Sequence, residues 1–207
     1  MPDRYPRLPT DTDDGLLLII SGPSGVGKTT ITRGVERSIS DSVFSVSVTT
    51  RPRTDADVEG VDYHFVDDAS FDEMIGRDEL LEHANVFGNK YGTPRAWVEE
   101  QLTRGRLVIL EIDVRGAKQV KAARPDAFGL FILPPSEDTL LERLRSRKRE
   151  SEAVIERRFA EAKREISEAK ESGVYDVFLV NDVLEASIEE AVGAVNAERA
   201  RRRAGSG

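Results

Sequence analysis

The sequence predicts an α/β protein with a parallel β-sheet that is covered by helices on both faces. Strand signals and helix signals alternate along the 207 residues. The strand signals are continuous apolar runs such as LLLII, which is typical of strands buried on both faces. In addition, a glycine-rich stretch (residues 20–32, ISGPSGVGKTTIT) joins the first apolar run to a helical pattern.

The first half of the chain begins with this alternation and then becomes irregular. Residues 16–21 (LLLIIS) predict the first strand, and residues 28–39 have helical spacing. Residues 44–50 (FSVSVTT) alternate small polar and apolar residues and predict a strand that ends at Pro52. From residue 53 to residue 94, turn signals are interrupted by one short strand (VDYHFV) and one short helix (SFDEMI).

The second half returns to a regular order. It predicts a helix over WVEEQLTRG, buried strands over 107–113 and 128–133, charged helices over 136–150 and 151–172, a strand over 175–181 and a closing helix. Both charged helices start with a serine at a plausible N-cap, followed closely by glutamate.

These signals predict one domain, because 207 residues with 39% hydrophobic content suffice for one core and are too few for two ordinary domains. The predicted parts are a disordered tail (1–15), a domain (16–198) made of a core (16–46 and 98–198), an inserted lobe (about 47–97) and a lid (about 136–160), and a frayed tail (199–207).

Composition excludes several classes of function. A net charge of −8 and a pI near 5.0 argue against binding to nucleic acid or anionic membranes, which requires a basic face. The absence of cysteine excludes disulfides, thiolate nucleophiles and cysteine-ligated metals, and fits a reducing compartment. No apolar run approaches the roughly 20 residues of a membrane span, and the N-terminal residues lack the apolar region of a signal peptide. We therefore expect a soluble cytoplasmic protein, monomeric or homodimeric.

The glycine-rich stretch matches GxxxxGK[ST], the phosphate-binding loop of P-loop NTPases, in its required setting between a buried strand and a helix. Glycine lets backbone N–H groups wrap a phosphate closely, and the following helix directs its positive end at the anion. Lys28 is expected to reach the outer phosphates of ATP, and the Thr29 hydroxyl to bind Mg²⁺. The expected ATP-binding residues of this loop are Gly22, Pro23, Ser24, Gly25, Val26, Gly27, Lys28, Thr29 and Thr30.

From about residue 16 to residue 196 the sequence resembles the guanylate kinase family. The matching segments, in order, are SGPSGVGKTT, SVTTRPR with GVDYHFV, ELLEHANVFGNKYGT, LEIDVRGAKQV, FILPPSEDTLLERLRSR, IERRF and YDVFLVND. The resemblance implies a P-loop NTPase core, a GMP-binding lobe at about 47–97 and a helical lid. It also implies Mg²⁺-dependent in-line phosphorylation of GMP and dGMP by ATP, for purine nucleotide metabolism and GMP recycling.

The resemblance assigns site residues to the lobe. Guanine presents N1–H and an N2 amino group side by side, for which a carboxylate is the natural acceptor, and Glu82 matches that position. Ser47 and Thr93 match the hydroxyls that complete guanine recognition. The resemblance also assigns the phosphate ligands Arg51, Tyr63 and Tyr91. Outside the lobe, Asp113 is a further candidate for GMP binding, because it lies at the carboxyl end of the strand LVILEID, where nucleotide-binding sheets place a carboxylate near Mg²⁺ or substrate.

One segment departs from the family pattern. The family places its second phosphate arginine three residues after the first, as TTRxPR, followed by a Gly-Glu pair. This chain reads TTRPRTDADVEG, with Arg53 only two residues after Arg51, and an ungapped alignment places Thr54 and Asp57 at the arginine and acid positions. We favour Arg53 as the second phosphate ligand, with a local shift around Pro52.

The donor side offers further candidates. Arg147 and Arg158 match the lid arginines of the family and, with Lys28 and Arg51, complete the predicted catalytic set. For the other arginines of the segment, a solvated helix face is the favoured interpretation: Arg143, Arg145, Arg149 and Arg157. Asn181 matches the segment near the adenine of ATP.

Three other functions stay open at the level of sequence. Guanylate-kinase-like interaction modules have given up catalysis and have an eroded phosphate loop, whereas this loop is intact. A kinase for ribose 1,5-bisphosphate would lack the guanine set of Ser47, Glu82 and Thr93. A plain NTPase switch would have no use for a lid and an acceptor lobe.

Overall fold

The structure is a computed structural model that describes residues 11–86, 88–146 and 151–205. Its elements are β1 Leu16–Ser21, α1 Lys28–Ser38, β2 Ser42–Phe44, β3 Val48–Thr49, β4 His64–Phe65, α2 Asp68–Gly76, β5 Leu80–Val86, β6 Asn89–Pro94, α3 Arg95–Thr103, β7 Leu107–Glu111, α4 Val114–Ala123, β8 Phe128–Leu133, α5 Glu137–Ser146, α6 Glu152–Ser172, β9 Val177–Val180 and α7 Leu184–Gly205.

The core sheet has five parallel strands in the order β2-β7-β1-β8-β9. Its central strand β1 is buried along its whole length, as its continuous apolar sequence predicts. Alternate residues of β1 point to opposite faces: Leu18 packs with α1 and α7, and Ile19 with α3 and α4. The predicted α/β class, with helices on both faces of a parallel sheet, is confirmed.

A second, four-stranded sheet lies within the range predicted for the inserted lobe. Its order is β4-β3-β6-β5, in which β3 and β4 are parallel and the other pairs antiparallel. It packs on α2 around a small apolar cluster of Val48, Phe71 and Leu80. The lobe therefore has a core of its own.

Two predictions for this region were wrong. The single strand predicted over 44–50 is two strands, because β2 pairs in the core sheet and β3 in the lobe sheet, so the chain passes between the sheets there. The turn signals after α2 conceal the β5–β6 hairpin, whose turn contains Gly88 at φ 86°. The strands of this hairpin contain many polar residues, because the sheet is only partly buried. They therefore lack the continuous apolar run by which the core strands were predicted.

The helix α5 and the first part of α6 lie in the range predicted for the lid, and the two helices pack on each other through Leu140, Leu144 and Ile155. At the C-terminus, α7 continues to Gly205, so the fraying predicted from residue 199 was wrong. Arg199 pairs with Asp41, and further ion pairs hold the last turns. Within the ranges described, none of the helices combines the length and apolarity needed to cross a bilayer.

The predicted N-terminal tail is only partly described, since residues 1–10 lie outside the described residues. Its last residues, 11–15, have no helix or strand but lie against the domain. The Thr12 amide donates to the Arg104 carbonyl at 3.4 Å, and Asp14 pairs with Arg203 of α7. This contact joins the two ends of the described chain.

Candidate active site

The phosphate-binding loop connects the end of β1 to the start of α1. Gly25 and Gly27 have φ of 89° and 98°, a left-handed conformation that side-chain-bearing residues rarely adopt. Gly27 is also the N-cap of α1, so the free backbone N–H groups of the first helical turn face the loop. The loop encloses a cavity of about 200 Å³ that is lined by Pro23, Ser24, Gly25, Gly27, Lys28, Thr29, Thr30 and Glu111.

Lys28 and Thr29, the first residues of α1, place a cation and a hydroxyl at this cavity. The Lys28 ammonium donates to the carbonyls of Gly22 and Pro23, which holds it beside the loop. The Thr29 hydroxyl donates to Glu111 Oε1 at 2.8 Å, at the carboxyl end of β7. The structure therefore places a cation, the exposed Thr29 hydroxyl and the half-buried Glu111 carboxylate at the mouth of the phosphate-binding loop.

These oxygens fit Mg²⁺, which takes few protein ligands and shares its remaining positions with phosphates and water. In the described ranges, no group of three or more His, Cys, Asp or Glu side chains is arranged to hold a metal without further ligands. Thr29, the predicted metal ligand, with Glu111 beside it, thus suits a metal that is held chiefly by nucleotide phosphates.

Asn181 follows β9, and its side chain is hydrogen-bonded to the backbone of the phosphate-binding loop. Its buried side-chain Nδ2 donates to the Val26 carbonyl at 2.7 Å, and its own carbonyl accepts from Arg143 at 3.0 Å. A Cβ on Gly27 would lie 2.6 Å from this Nδ2, so the close packing requires glycine as well. The predicted contact of Asn181 with adenine stays a prediction.

The lid contributes arginines to the same loop. Arg158 of α6 donates to the Ser24 hydroxyl, which places a lid cation at the loop. The solvated face predicted for Arg143 was wrong, since Arg143 contacts Asn181, whereas Arg145 pairs with the exposed Glu152 as a surface residue does. Arg147 and Arg149 lie outside the described residues.

The lobe presents a buried carboxylate, Glu82 on β5, which is only 5% exposed. The Thr93 hydroxyl on β6 donates to Glu82 Oε1 at 2.7 Å. Burial, with a smaller contribution from the nearby Asp113 charge, raises the pKa of Glu82 to about 7, and the Thr93 hydrogen bond partly opposes this. A carboxylate that keeps one oxygen for other donors in a nearly water-free position is a strong hydrogen-bond acceptor.

Asp113, another predicted site residue, lies near this carboxylate. It is at the carboxyl end of the β7 segment and caps α4, where its Oδ1 accepts from the Gly116 amide at 2.8 Å. The Glu82 carboxylate borders the same glycine. Ser47, just before β3, is half-buried, and its carbonyl accepts from the His64 amide.

Arg51 is the centre of a second cluster in the lobe. Its guanidinium holds the Asp57 carboxylate through two hydrogen bonds of 2.7 and 3.1 Å and lies 5.2 Å from the Tyr63 ring centroid. The Tyr63 and Tyr91 rings are 5.7 Å apart. One guanidinium and two phenols are thus gathered as an anion site requires.

Arg53 takes a different position from the one that its motif suggests. It is exposed and donates from Nε to the Asp57 backbone carbonyl at 3.2 Å. The Arg51 hydrogen bonds, together with those that the Thr54 hydroxyl and amide donate to the Asp57 side chain, lower the pKa of Asp57. Contact of Arg53 with a phosphate stays a prediction.

The lobe is joined to the core at α4, because the Gln119 side chain accepts from the His83 amide of β5 at 3.1 Å and donates to the His83 carbonyl at 2.9 Å. This helix follows β7, whose last residue, Glu111, lines the loop cavity. Burial raises the pKa of Tyr63.

Sequence analysis missed Glu165 of α6, whose pKa is raised by burial while the neighbouring Lys28 opposes the change. It lines a cavity of about 360 Å³ with Asp113, between the lid and α4. No motif singles out this glutamate among the many on α6, so no sequence signal could have found it.

Comparisons with known proteins agree with this geometry. A family model described as guanylate kinase matches residues 15–198. A guanylate kinase from Zymomonas mobilis is 46% identical over 190 residues, covering 91% of this chain and 87% of that protein. Another from Thermobifida fusca is 46% identical over 181 residues, covering 87% and 91%. The crystal structure of guanylate kinase from Anaplasma phagocytophilum superposes with a TM-score of 0.70 at 32% identity, covering 92% of this chain and 89% of that one.

Proposed function

The chain belongs to the guanylate kinase family, and we propose that it transfers the γ-phosphoryl group of ATP to GMP, giving ADP and GDP. The phosphate-binding loop takes ATP, the lobe takes GMP, and the lid closes over both. The observation that carries the proposal is the buried Glu82 carboxylate, which accepts a hydrogen bond from the Thr93 hydroxyl.

Glu82 selects the base through hydrogen bonding. The Thr93 hydroxyl occupies one side of Oε1, which leaves acceptor capacity on the ionised carboxylate for the N1–H and N2 amino groups of guanine. Adenine lacks this pair of donors, so it would leave a buried carboxylate without partners, at a cost of roughly several-hundred-fold in discrimination. We propose that Ser47 and Asp113 complete the recognition of guanine, which the partial burial of Ser47 and the position of Asp113 at the start of α4 support.

The phosphate of GMP binds among Arg51, Tyr63 and Tyr91. A dianion suits a guanidinium fork and phenolic donors, and Arg51 already holds an anion, the Asp57 carboxylate, in a two-bonded geometry. When GMP binds, a phosphate oxygen takes up the outer face of Arg51 while Asp57 keeps the guanidinium oriented.

Transfer proceeds in line. A GMP phosphate oxygen forms the new bond to the γ-phosphorus while the bond to the oxygen bridging the β- and γ-phosphorus atoms breaks, and the electron pair leaves with ADP. The acceptor is already an anion, so no general base is needed. Lys28, Arg158 and Arg147 supply positive charge to the transferred group, and closure of the lid excludes water as a competing acceptor.

Mg²⁺ bound to the ATP phosphates would neutralise charge that develops during transfer. Thr29 is its proposed protein ligand, and Glu111 holds the Thr29 hydroxyl in place. We further propose that dGMP is accepted, and that the activity serves purine nucleotide metabolism and GMP recycling in the cytoplasm.

The first test is an ADP-release assay with MgATP and a panel of acceptors: GMP, dGMP, AMP, UMP, CMP and ribose 1,5-bisphosphate. We expect turnover with GMP and dGMP alone. ADP release with no acceptor present would identify an NTPase, and turnover of the bisphosphate alone would identify a sugar kinase. GMP binding without turnover would indicate an interaction module.

A second prediction concerns Arg53, which we propose as the second cation at the GMP phosphate. Arg53→Ala should raise KM for GMP about tenfold, because a hydrogen bond to a charged group contributes roughly 1.5–3 kcal/mol and Arg53 is exposed. Steady-state kinetics with GMP varied at saturating MgATP measures this effect. The matched control is Arg77→Ala, an exposed arginine at the end of α2. An unchanged KM would mean that Arg51 and the two tyrosines hold the phosphate without Arg53.

A further inference from the structure

A glycine lies where helix propensity disfavours it. Gly116 is the third residue of α4, buried and helical in backbone, so no positive φ requires glycine there. Glycine within a helix costs about 1 kcal/mol relative to alanine. The reason for this glycine must therefore lie in what surrounds it.

The space beside Gly116 is filled by the Glu82 side chain. A Cβ on Gly116 would lie 2.7 Å from Glu82 Oε2 and 3.3 Å from Glu82 Cδ. Such a distance to an oxygen is well inside van der Waals contact, so one of the two groups has to move. Because Oε2 is the end of a flexible side chain and α4 is a packed helix, the carboxylate moves and the helix stays.

The direction of this movement matters for the Thr93 hydrogen bond. Thr93 holds Oε1 at 2.7 Å on one side, while Gly116 allows Oε2 to approach α4 on the other. The carboxylate thus fits between a donor and a bare Cα. A methyl group at Gly116 would rotate or displace the carboxylate plane and break this fit.

We propose that Gly116 is the positioning residue for Glu82: its missing side chain keeps the carboxylate in the plane that meets guanine, and so sets the preference for guanine over adenine. This inference rests on the proposed function. It adds a specificity determinant within α4, a helix of the core, to the base-recognition residues Glu82 and Thr93 of the lobe hairpin.

The test is Gly116→Ala, assayed with GMP and AMP at saturating MgATP. We expect KM for GMP to rise about tenfold or more and the GMP-to-AMP ratio of kcat/KM to fall by a similar factor, since small misplacements at a site can cost up to about a hundredfold. KM for ATP should stay within about twofold. In the Gly116→Ala background, Glu82→Asp should restore part of the GMP preference, because the shorter side chain withdraws the carboxylate from the new methyl group.

Substitution of two other helical glycines provides controls that distinguish a positioning role of Gly116 from a general loss of stability. Gly193 of α7 has no atom within 4 Å of an added Cβ, so Gly193→Ala should leave all kinetic constants unchanged. Gly34 of α1 would place a Cβ 2.4 Å from Ile188, so Gly34→Ala should lower the melting temperature without changing the base preference. If Gly116→Ala behaves like either control, the inference is wrong.

A spectroscopic readout distinguishes failure of the inference from failure of the proposed function. The carboxyl carbon of Glu82 is followed by 13C NMR in the protein without nucleotide, with Glu82→Gln for assignment. Gly116→Ala should shift this resonance and its titration midpoint, and Gly193→Ala should not. If the wild type does not phosphorylate GMP, the proposed function fails and this readout still decides whether Gly116 positions Glu82.

Discussion

Lys28→Ala should lower kcat for phosphoryl transfer by about a thousandfold or more, because the lost cation stabilises charge on the transferred oxygens. Lys28 lies at the start of α1, and its ammonium is held at the loop by the carbonyls of Gly22 and Pro23. These bonds keep the cation oriented at the loop. The measurement is single-turnover ADP formation with MgATP and GMP, which isolates the chemical step from product release.

The control for this variant is Lys170→Ala, which removes an exposed lysine of α6 and should leave kcat unchanged. Binding of GMP, measured by calorimetry, should be the same in wild type and Lys28→Ala, because the lobe does not include Lys28. Retention of more than about a tenth of the wild-type kcat would contradict the role assigned to the ammonium.

The phosphate-binding loop is the part of the site that sequence predicts best. Its function depends on the backbone conformation of the loop and on the start of a helix, and a short stretch of sequence determines both. Gly25 and Gly27 allow the left-handed conformation, and the helix begins at Lys28. The core strands are equally predictable, because strands buried on both faces carry an unbroken apolar signal.

The acceptor lobe is predicted less well because its residues act through contacts between distant segments. The β5–β6 hairpin carries polar residues that read as turns, yet its pairing brings Thr93 to Glu82. From sequence alone, Arg143 is one of several charged residues on a helix. Only the structure shows that it donates a hydrogen bond to the Asn181 backbone carbonyl. Resemblance supplied the identity of Glu82, but only the structure shows that Gly116 borders it.

Glu82→Gln should abolish the preference for guanine by lowering kcat/KM for GMP about several-hundred-fold, with KM for ATP unchanged. Glutamine keeps the shape of the side chain but turns one acceptor into a donor, which then opposes the guanine amino group. It also removes the charge that strengthens both hydrogen bonds. Steady-state kinetics with GMP and with AMP measure the base preference, and kinetics with ATP varied measure KM for ATP.

The matched control is Glu73→Gln on α2, an exposed glutamate of the same lobe that pairs with Arg77. It should change neither substrate constant by more than about twofold, because exposed ion pairs contribute little. GMP kinetics that are the same in Glu82→Gln and in wild type would contradict the proposed recognition of the base.

The pH dependence tests the same carboxyl group without relying on a large loss of activity. The pKa of Glu82 in the free protein is raised to about 7, and guanine requires the ionised form, so KM for GMP should rise about tenfold per pH unit below 7 and be flat above it. Titration of the GMP phosphate itself, with a pKa near 6, is present in the Glu82→Gln variant too and can be subtracted.

The stability of the protein without nucleotide should fall as the pH rises, whereas its affinity for GMP should increase. Because the folded-state pKa of Glu82 lies above its ordinary value of 4.5, the protonated acid favours the folded state, and this contribution is lost as pH rises through 7. Relative to Glu82→Gln, the unfolding free energy of the wild type should fall by about 3 kcal/mol as the pH rises from 4.5, the ordinary pKa, to about 7, the pKa in the folded protein.

Saturating GMP should reverse this dependence on pH. GMP binds the ionised form of Glu82, so the stabilisation that GMP gives should grow as the pH rises. Denaturant unfolding at several pH values, with and without GMP, measures both signs, and parallel profiles for wild type and variant would show that Glu82 does not titrate in this range.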